Sequence, residues 1–413
     1  MNVTIRPSSA AGTAPAPPSK SMAHRLLLCA GQCPGETLVR GVAASQDILA
    51  TLDCLSALGI DSLMRDGDVT LYGKSPRLPE PGTVLPCRES GSTLRFFLPL
   101  CLSGPPVTLT GSPRLLERPL GVYRDLCREK GIRFEQTETS VTVEGTLRPG
   151  EFTLPGDVSS QFVSGLLFAL PALPGDSRIR LAAPVESRSY ILLTMDALRR
   201  FGIETRWLDD GTVAVPGRQR FRLPARAGSR PAVTVEGDWS NAAFLLALGP
   251  GVTVTGLDPN SLQGDRVCET YFRALEVGRE RLDLSDCPDL GPVLLAYAAA
   301  RRGGTFTGTR RLRLKESDRG AVMAEELRKF GVPVTVSENE ITVGSGLRPP
   351  DGALDGHNDH RIVMALSLLC ARVGGTVNGA EAVDKSFPDF FERLRSLGIA
   401  VSFQGERGAS AMN

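Results

Sequence analysis

The feature that most constrains the fold is a strand, helix and hairpin unit that recurs six times along the chain. Its first landmark is a short segment rich in Thr and Val between glycines or prolines, as in Gly251–Gly256. Its second is an amphipathic helix that stops at a glycine, usually before a β-branched residue, as in Phe201-Gly202-Ile203. A unit of this size buries its apolar face only by stacking on its neighbours, so the sequence predicts repeated layers.

Most units continue into a hairpin with a turn-forming tip such as Asp66-Gly67. In the fourth unit the chain runs from Gly278 through Leu282 to Asp286 without space for a hairpin. We therefore expect the fourth repeat to be truncated. The six strand segments are Glu36–Gly41, Pro106–Gly111, Ser177–Leu181, Gly251–Gly256, Gly304–Gly308 and Gly375–Gly379.

A second helix precedes each strand segment and is apolar on most faces, which is typical of a buried helix. Small polar caps beside Arg, Lys or Gln mark its start in several units. If each domain stacks its buried helices in parallel, their N-termini gather together and concentrate positive potential. These helices are predicted at Ser21–Cys29, Ser92–Leu102, Ser160–Leu170, Ser240–Leu248, Leu290–Ala300 and Asp359–Cys370.

The first buried helix carries cations where a helix does not favour them. Lys20 and Arg25 follow Pro17-Pro18-Ser19 and lie in the first two helical turns. The macrodipole already makes this end positive, so the pattern favours a bound anion. A lone pair of this kind is usually a pair of solvated surface cations, but the pattern recurs at Arg95 and Arg361. We interpret these helix starts as anion sites, while the charged run 310–319 remains open to the solvated interpretation.

Composition limits the classes of function. The chain has 413 residues, which predicts two domains, and a net charge of +1, which gives no bulk attraction to nucleic acid or membrane. Nine cysteines without a C-x-x-C pair favour reduced thiols in the cytoplasm. We expect no bound metal, because His357 and His360 lack a third histidine or a nearby cysteine.

Two links rich in Pro, Ala and Gly suggest the domain boundaries. They are Ala11–Pro18 and Pro224–Pro231. The simplest split falls at about residue 228. The strand Met1–Arg6 could belong to either domain, and the pattern does not decide between them.

Five motifs of the chain are specific enough to compare with known families. They are Leu116-Glu117-Arg118-Pro119-Leu120, Asp157-Val158-Ser159-Ser160-Gln161-Phe162, Glu236-Gly237-Asp238-Trp239-Ser240, Lys315-Glu316-Ser317-Asp318-Arg319 and Asn358-Asp359-His360-Arg361. In these motifs, and over essentially its whole length, the chain resembles the 5-enolpyruvylshikimate-3-phosphate synthase family of enolpyruvyl transferases. The resemblance implies an α/β fold, an α/β prism, of two domains with three βαβαββ repeats each. It further implies that residues 1–18 and 229–413 form a discontinuous domain, that residues 19–228 form an inserted domain, and that the active site lies in the cleft between them.

The family transfers the enolpyruvyl group of phosphoenolpyruvate to the 5-hydroxyl of shikimate-3-phosphate and releases phosphate, in the shikimate pathway to chorismate. By resemblance we expect these two small-molecule substrates, no cofactor, and a cytoplasmic monomer without nucleic-acid or membrane partners. Both substrates are anions, which agrees with the anion sites predicted at the helix starts. We also expect the domains to close on the shikimate phosphate.

The resemblance also implies roles for individual residues. Lys20 would touch both substrates and transfer protons, Asp289 would take the proton of the 5-hydroxyl, and Glu316 would protonate the methylene carbon, for which we expect partial burial. The shikimate-3-phosphate residues would be Lys20, Ser21, Arg25, Ser159, Ser160, Gln161, Ser187, Tyr190, Asp289 and Lys315. The phosphoenolpyruvate residues would be Lys20, Gly91, Arg118, Gln161, Arg319, Arg361 and Lys385.

Departures from the family pattern leave some contacts open. Many members have Thr and Pro where this chain has Ser92 and Phe96, so we expect a different loop beside the phosphoenolpyruvate pocket. Many have Asn where this chain has Arg311. The sister enzyme that uses UDP-N-acetylglucosamine is an alternative, but its Lys-Asn start is missing. A non-catalytic nucleic-acid binder is a second alternative. It would have no use for the acids Asp289 and Glu316 among cations, and it would be expected to carry a larger positive charge than +1.

Overall fold

A computed structural model describes residues 1–73, 79–224, 229–278 and 280–404. The boundary predicted at residue 228 lies outside these ranges. The strands are β1 (Asn2–Arg6), β2 (Gly12–Pro15), β3 (Gly35–Arg40), β4 (Asp61–Arg65), β5 (Asp68–Gly73), β6 (Thr83–Pro86), β7 (Ser103–Thr110), β8 (Arg133–Gln136), β9 (Ser140–Thr146), β10 (Glu151–Pro155), β11 (Ser177–Ala182), β12 (Arg206–Trp207), β13 (Thr212–Val215), β14 (Ala232–Thr234), β15 (Val252–Thr255), β16 (Arg281–Asp283), β17 (Gly304–Thr307), β18 (Val334–Val336), β19 (Glu340–Val343), β20 (Leu354–Asp355), β21 (Gly375–Asn378) and β22 (Ala400–Phe403).

The helices follow the predicted two kinds. The amphipathic kind ends one or two residues before each predicted glycine stop, for example before Gly202. They are α1 (Lys20–Gln32), α2 (Gln46–Ala57), α3 (Gly91–Leu100), α4 (Pro113–Glu117), α5 (Gly121–Glu129), α6 (Ser160–Ala169), α7 (Arg188–Arg200), α8 (Trp239–Leu246), α9 (Cys268–Val277), α10 (Gly291–Ala299), α11 (Arg319–Lys329), α12 (His360–Val373) and α13 (Phe390–Ser396).

The chain divides into two compact units. The discontinuous unit consists of Met1–Pro17, Trp239–Pro259 and Asp265–Asn413, and the inserted unit consists of Pro18–Asp238 and Asn260–Gly264. Each unit has a hydrophobic core of its own. Large apolar helices supply much of each core, which explains why the six predicted buried helices are apolar all round.

Three four-stranded sheets form the inserted unit, with strand orders β14-β3-β5-β4, β6-β7-β9-β8 and β10-β11-β13-β12. In each sheet the first two strands are parallel, and the hairpin adds antiparallel strands. In the second and third of these sheets the parallel pair is joined through a buried helix, α3 or α6, as a crossover requires. Helix α3 packs on α6, and rings of α1 and α3 meet at His24 and Phe96.

The discontinuous unit repeats this plan with two changes. One sheet, β16-β17-β19-β18, is complete, whereas β15 and β2 form a sheet of two strands. Between α9 and β16 the described residues contain no hairpin, so the predicted truncation of the fourth repeat is confirmed. In the last sheet, β20-β21-β1-β22, the first strand of the chain takes the place of a hairpin strand.

Strands β2 and β14, which lie where the chain passes from one unit to the other, each pair with a strand that is remote in sequence. Strand β2 precedes α1 in sequence but pairs with β15 in the discontinuous unit, and β14 precedes α8 but pairs with β3 in the inserted unit. Residues 229–238, which we expected in the discontinuous domain, therefore belong with the inserted unit. The backbone hydrogen bonds of β14 to β3 are the physical reason for this difference.

Other predictions concerned membranes and thiols. No helix in the described ranges is long and apolar enough to cross a bilayer. All nine cysteines lie within those ranges and are buried and free. Burial raises the pKa of Cys127 to about 12, which makes that thiol unreactive.

Candidate active site

The start of α1 in the inserted unit is fixed by hydrogen bonds to its backbone. Ser19 is the N-cap, and its Oγ accepts from the Met22 N–H at 3.3 Å. The Lys20 N–H donates to Asp238 Oδ2 at 3.0 Å, and the Ser19 N–H donates to Glu236 O at 2.8 Å. The segment after β14 therefore holds the helix end that carries the predicted anion-binding residues.

The Lys20 side chain is held by a carboxylate that the sequence did not single out. Lys20 Nζ lies 2.7 Å from Asp47 Oδ2, and both side chains are largely buried. Asp47 is in the first turn of α2, where an acid is an ordinary partner of the helix dipole. Nothing in the sequence distinguishes it from such a residue, and only the fold brings it to Lys20.

Arg25 is buried and held by three hydrogen bonds. Its Nε donates to Thr194 Oγ1 at 2.8 Å, and its two terminal nitrogens donate to the carbonyls of Ser21 at 2.6 Å and Tyr190 at 3.1 Å. Burial lowers its pKa to about 10, so it stays charged at neutral pH. The structure thus brings three predicted shikimate-3-phosphate residues together.

Phe96 packs against Arg25, with the guanidinium carbon 5.2 Å from the ring centroid. The ring is fully buried and also contacts His24 and Phe168. This departure from the family pattern therefore supports Arg25, an arginine that we predicted to bind shikimate-3-phosphate.

Gln161 is oriented by two side chains of α3. Its Nε2 donates to Ser92 Oγ at 2.9 Å, and Arg95 donates to its Oε1 at 2.6 Å. Ser159 caps α6 and accepts from the Gln161 N–H at 3.3 Å, and Ser160 follows it at the helix start. Arg95 was recognised only as a basic helix start, and its partner could not be read from the sequence.

Gly91 and Arg118, both predicted for phosphoenolpyruvate, are neighbours. A methyl group at Gly91 would lie 2.7 Å from Arg118 Nη1, so the position needs glycine if the guanidinium is to lie flat on the helix start. Ser187, another predicted residue, precedes α7 in the left-handed conformation, at φ 54°, and is buried.

In the discontinuous unit, Arg319 is the centre of a cluster of charges at the start of α11. Its Nη1 donates to Asp289 Oδ1 at 2.9 Å, and its Nη2 donates to Glu316 Oε2 at 2.6 Å. Its Nε donates to Asp359 Oδ2 at 2.8 Å. Only 1% of the Arg319 side chain is exposed, so this cation is neutralised almost wholly by protein carboxylates.

Asp289 lies among three cations. Lys315 Nζ is 3.0 Å from its Oδ1, and Arg361 Nη2 is 3.4 Å from its Oδ2. Burial alone would raise the pKa of Asp289, but Arg361, Lys315 and Arg319 outweigh it and hold that pKa well below the usual range. Asp289 is therefore ionised at neutral pH.

The start of α12 completes this cluster. Asp359 caps the helix, accepting from the Arg361 N–H at 3.0 Å and from Ser317 Oγ at 3.0 Å. Lys385 Nζ donates to Asn358 O at 2.7 Å. Six predicted residues, Asp289, Lys315, Glu316, Arg319, Arg361 and Lys385, thus contact one another or adjoining backbone, and Asp359 is the member that we had not predicted.

Two remaining expectations concern Glu316 and Arg311. The Glu316 side chain is 20% exposed, in line with the expected partial burial. Arg311 is buried, and its Nη2 donates to Ser285 O at 2.8 Å, which ties the turn before α11 to the loop after β16.

His24 gives the inserted unit an expected pH dependence. Its Nδ1 lies 2.7 Å from Thr51 Oγ1, and burial, with Lys20 and Arg25 adding to it, lowers its pKa well below 6.5. Between these two pKa values the unfolded chain binds a proton that the folded chain does not. The free energy of unfolding should therefore fall below about pH 6.5, by up to about 1.4 kcal/mol per pH unit.

Urea unfolding of the wild type and of His24→Gln at several pH values measures this effect. The difference in unfolding free energy between the two proteins should shrink as the pH falls from about 7 to about 5, because only the wild type has the histidine. A difference that stays constant over this range would contradict the assignment of a neutral, buried His24.

The chain was compared with known protein families and structures. Residues 6–394 match the family model described as EPSP synthase (3-phosphoshikimate 1-carboxyvinyltransferase). The 3-phosphoshikimate 1-carboxyvinyltransferase of Clostridium kluyveri is 38% identical, over 96% of this chain and 97% of the relative. The enzyme of the same name from Methanoculleus marisnigri is also 38% identical, over 93% of this chain and 96% of the relative.

A solved structure supports the same fold. EPSP synthase from Acinetobacter baumannii matches with a TM-score of 0.76 and 24% identity, over 97% of this chain and all of that one. At this identity the likeness concerns the fold alone. Together with the family match over nearly the whole length, it leads to one conclusion: the chain belongs to the EPSP synthase family.

Proposed function

We propose that this chain transfers the enolpyruvyl group of phosphoenolpyruvate to the 5-hydroxyl of shikimate-3-phosphate and releases phosphate. The observation that carries the proposal is the Arg319 cluster, in which Asp289 and Glu316 share one buried guanidinium. Addition followed by elimination needs a base and an acid among cations that hold anionic substrates. Family membership gives the reaction, and the cluster gives the residues that can perform it.

Residues of the inserted unit supply most of the set proposed for shikimate-3-phosphate. Helix starts at Ser21 and Ser160 offer backbone N–H groups and serine hydroxyls to a phosphate. Arg25, fixed by Thr194 and two carbonyls, adds a charge that does not titrate near neutral pH. The other members proposed here are Lys20, Ser159, Gln161, Ser187 and Tyr190, with Asp289 and Lys315 from the discontinuous unit.

Three of the seven residues proposed for phosphoenolpyruvate are arginines, whose planar forks match carboxylate and phosphate oxygens. The Arg319 side chain donates to Asp289 and Asp359, and the Arg361 side chain donates to Asp289. Anionic substrate oxygens can replace some of these carboxylate contacts. The set proposed here is Lys20, Gly91, Arg118, Gln161, Arg319, Arg361 and Lys385.

The proton steps are assigned to three side chains. In the addition, the 5-oxygen bonds to C2 of phosphoenolpyruvate, Asp289 takes the hydroxyl proton, and Glu316 gives a proton to the methylene carbon. In the elimination, the bond from C2 to the phosphate oxygen breaks, Glu316 takes a proton back from the methyl group, and Lys20 gives a proton to the leaving phosphate. Asp289 then releases the hydroxyl proton to solvent and Lys20 regains one, so the protons balance. Arg361, Lys315 and Arg319 lower the pKa of Asp289. When these cations bind substrate oxygens instead, the pKa of Asp289 rises and the carboxylate becomes a stronger base.

No electron leaves or enters the substrates in these steps, so we propose no cofactor. We assign the proton transfer at the leaving phosphate to Lys20, whose ammonium pairs with Asp47. We further propose that the protein works as a monomer in the cytoplasm, where nine free cysteines persist as thiols.

The experiment is a phosphate-release assay with purified protein, shikimate-3-phosphate and phosphoenolpyruvate, without added metal. Release is expected with both substrates together and not with either one alone. UDP-N-acetylglucosamine in place of shikimate-3-phosphate should give no release. Turnover of the nucleotide sugar, with none of shikimate-3-phosphate, would overturn the proposal in favour of the sister activity.

A further inference from the structure

Glu326 is a fully buried acid that the proposed chemistry does not use. It lies on α11, seven residues after Arg319, which puts both on nearly the same face of the helix. Its exposed fraction is 0%. A buried carboxylate is costly unless it is paired, so its partners are informative.

The partners of Glu326 come from α11 and from the segment 355–358 that leads into α12. Lys329 Nζ lies 2.8 Å from Oε1 and 3.0 Å from Oε2. His357 Nε2 lies 3.0 Å from Oε1, and the Asp355 N–H donates to Oε2 at 3.2 Å. One carboxylate therefore fixes both a side chain and the backbone of segment 355–358.

Segment 355–358 has a backbone that needs such support. His357 and Asn358 are consecutive non-glycine residues with positive φ, 48° and 51°. A residue with a side chain adopts this conformation at an energetic cost and keeps it only where its surroundings hold it. Asp355 Oδ1 accepts from the His357 N–H at 2.7 Å, and Glu326 holds the other side of the same histidine.

Residues with proposed roles follow directly. Asn358 O accepts from Lys385 Nζ, and Asp359, the next residue, caps α12 and accepts from Arg319. Arg361 is two residues further on. A rotation of the backbone at His357 would therefore displace three side chains of the phosphoenolpyruvate set together.

We propose that Glu326 is a positioning residue for phosphoenolpyruvate binding. It acts through His357 by holding segment 355–358 in its left-handed conformation. This inference rests on the proposed function, which it deepens by assigning the support of one substrate set. Gly356 is separately bonded to Asn378 O at 2.9 Å, so loss of Glu326 should shift His357 and Asn358 without unfolding the segment.

Ligand atoms of Glu325, Glu326 and His357 lie within 4.8 Å of one another, which raises the alternative of a metal site. The Lys329 ammonium already contacts both oxygens of Glu326. The protein itself therefore supplies the cation that pairs with Glu326. We call the contacts of Glu326 with the His357 side chain and the Asp355 N–H the clamp.

The test compares Glu326→Gln with Glu325→Gln, which removes the neighbouring, exposed acid of the same helix. Glutamine has one acceptor oxygen and cannot serve Asp355, His357 and Lys329 together. The KM for phosphoenolpyruvate should rise about tenfold or more in Glu326→Gln, with the KM for shikimate-3-phosphate changing less than about twofold. Glu325→Gln should resemble the wild type in both constants.

A double-mutant cycle with His357→Phe tests the route of the effect. If Glu326 acts through His357, the double variant should show about the same KM for phosphoenolpyruvate as either single variant. Additive effects, or equal rises of both KM values, would overturn the proposal. So would an unchanged KM for phosphoenolpyruvate in a folded Glu326→Gln protein.

Hydrogen exchange separates this inference from the function. Amides of residues 356–361 should exchange faster in Glu326→Gln than in Glu325→Gln, whatever the activity. If the wild type released no phosphate but this difference were found, the proposed function would fail and the clamp would stand. Equal exchange in the two variants would overturn the clamp.

Discussion

Replacing Glu316 with Gln is expected to lower turnover by about 10²- to 10⁴-fold, the usual contribution of a general acid and base. Glutamine keeps an oxygen that can accept from Arg319 Nη2, which now lies 2.6 Å from Glu316 Oε2. The fold and substrate binding should therefore survive. What glutamine lacks is a proton to give to the methylene carbon and a carboxylate to take one back.

Steady-state kinetics and the melting temperature measure these effects together. Asp351→Asn is the matched control, because Asp351 pairs with Arg348 at the same i,i+3 spacing, at 3.6 Å, on the exposed surface of the same unit. It should leave turnover unchanged. Near-normal turnover in Glu316→Gln would remove Glu316 from the proposed acid and base role.

Replacing Arg319 with Met is expected to destabilise the discontinuous unit by about 3–5 kcal/mol and to abolish phosphoenolpyruvate binding. The change removes the cation shared by three carboxylates, one of which, Asp359, has an exposed fraction of 0%. Asp359 keeps hydrogen bonds from Ser317 and the Arg361 N–H, but its charge loses its closest partner. Denaturant unfolding measures the loss.

A second variant distinguishes two causes of the destabilisation, the Asp359 charge left without its partner and the loss of packing around Arg319. Adding Asp359→Asn to Arg319→Met should recover part of the stability, because the buried charge left alone is then removed. Arg348→Met, at an exposed ion pair, should change stability by less than about 0.5 kcal/mol. A loss below about 1 kcal/mol in Arg319→Met would contradict the view of Arg319 as the centre of a buried cluster.

The repeated architecture was predictable because its signals are local. Glycine stops such as Gly202 and Gly331 mark helix ends, and both adopt positive φ. The missing hairpin after Gly278 was visible as a lack of chain length. These signals depend on a few neighbouring residues, so they appear in the sequence without knowledge of the fold.

The strand exchange was not predictable in the same way. The pairing of β2 with β15 joins residues about 240 positions apart, and no local pattern records it. The family resemblance placed the first strand, but it left residues 229–238 on the wrong side, because β14 looks like the opening strand of α8. The backbone hydrogen bonds of β14 to β3 assign this strand to the inserted unit.

The candidate site likewise contains residues that the sequence predicted and residues that it did not. Cations at helix starts, such as Lys20 and Arg361, stood out because they oppose the helix dipole. Acids at helix starts agree with the dipole, so Asp47 and Asp359 looked like ordinary first-turn and capping residues. Glu326 lies on an amphipathic helix, where no sequence signal separates it from exposed acids such as Glu325, and only the structure shows it buried and paired with His357.

The most direct test of the central claim, addition followed by elimination with Glu316 as the acid and base, is the reaction in deuterated water. Glu316 would deliver a deuteron to the methylene carbon and then remove one hydrogen from the resulting methyl group. Mass spectrometry of the product should therefore show deuterium in the enolpyruvyl methylene of most molecules. A product formed at the normal rate without deuterium would contradict the account.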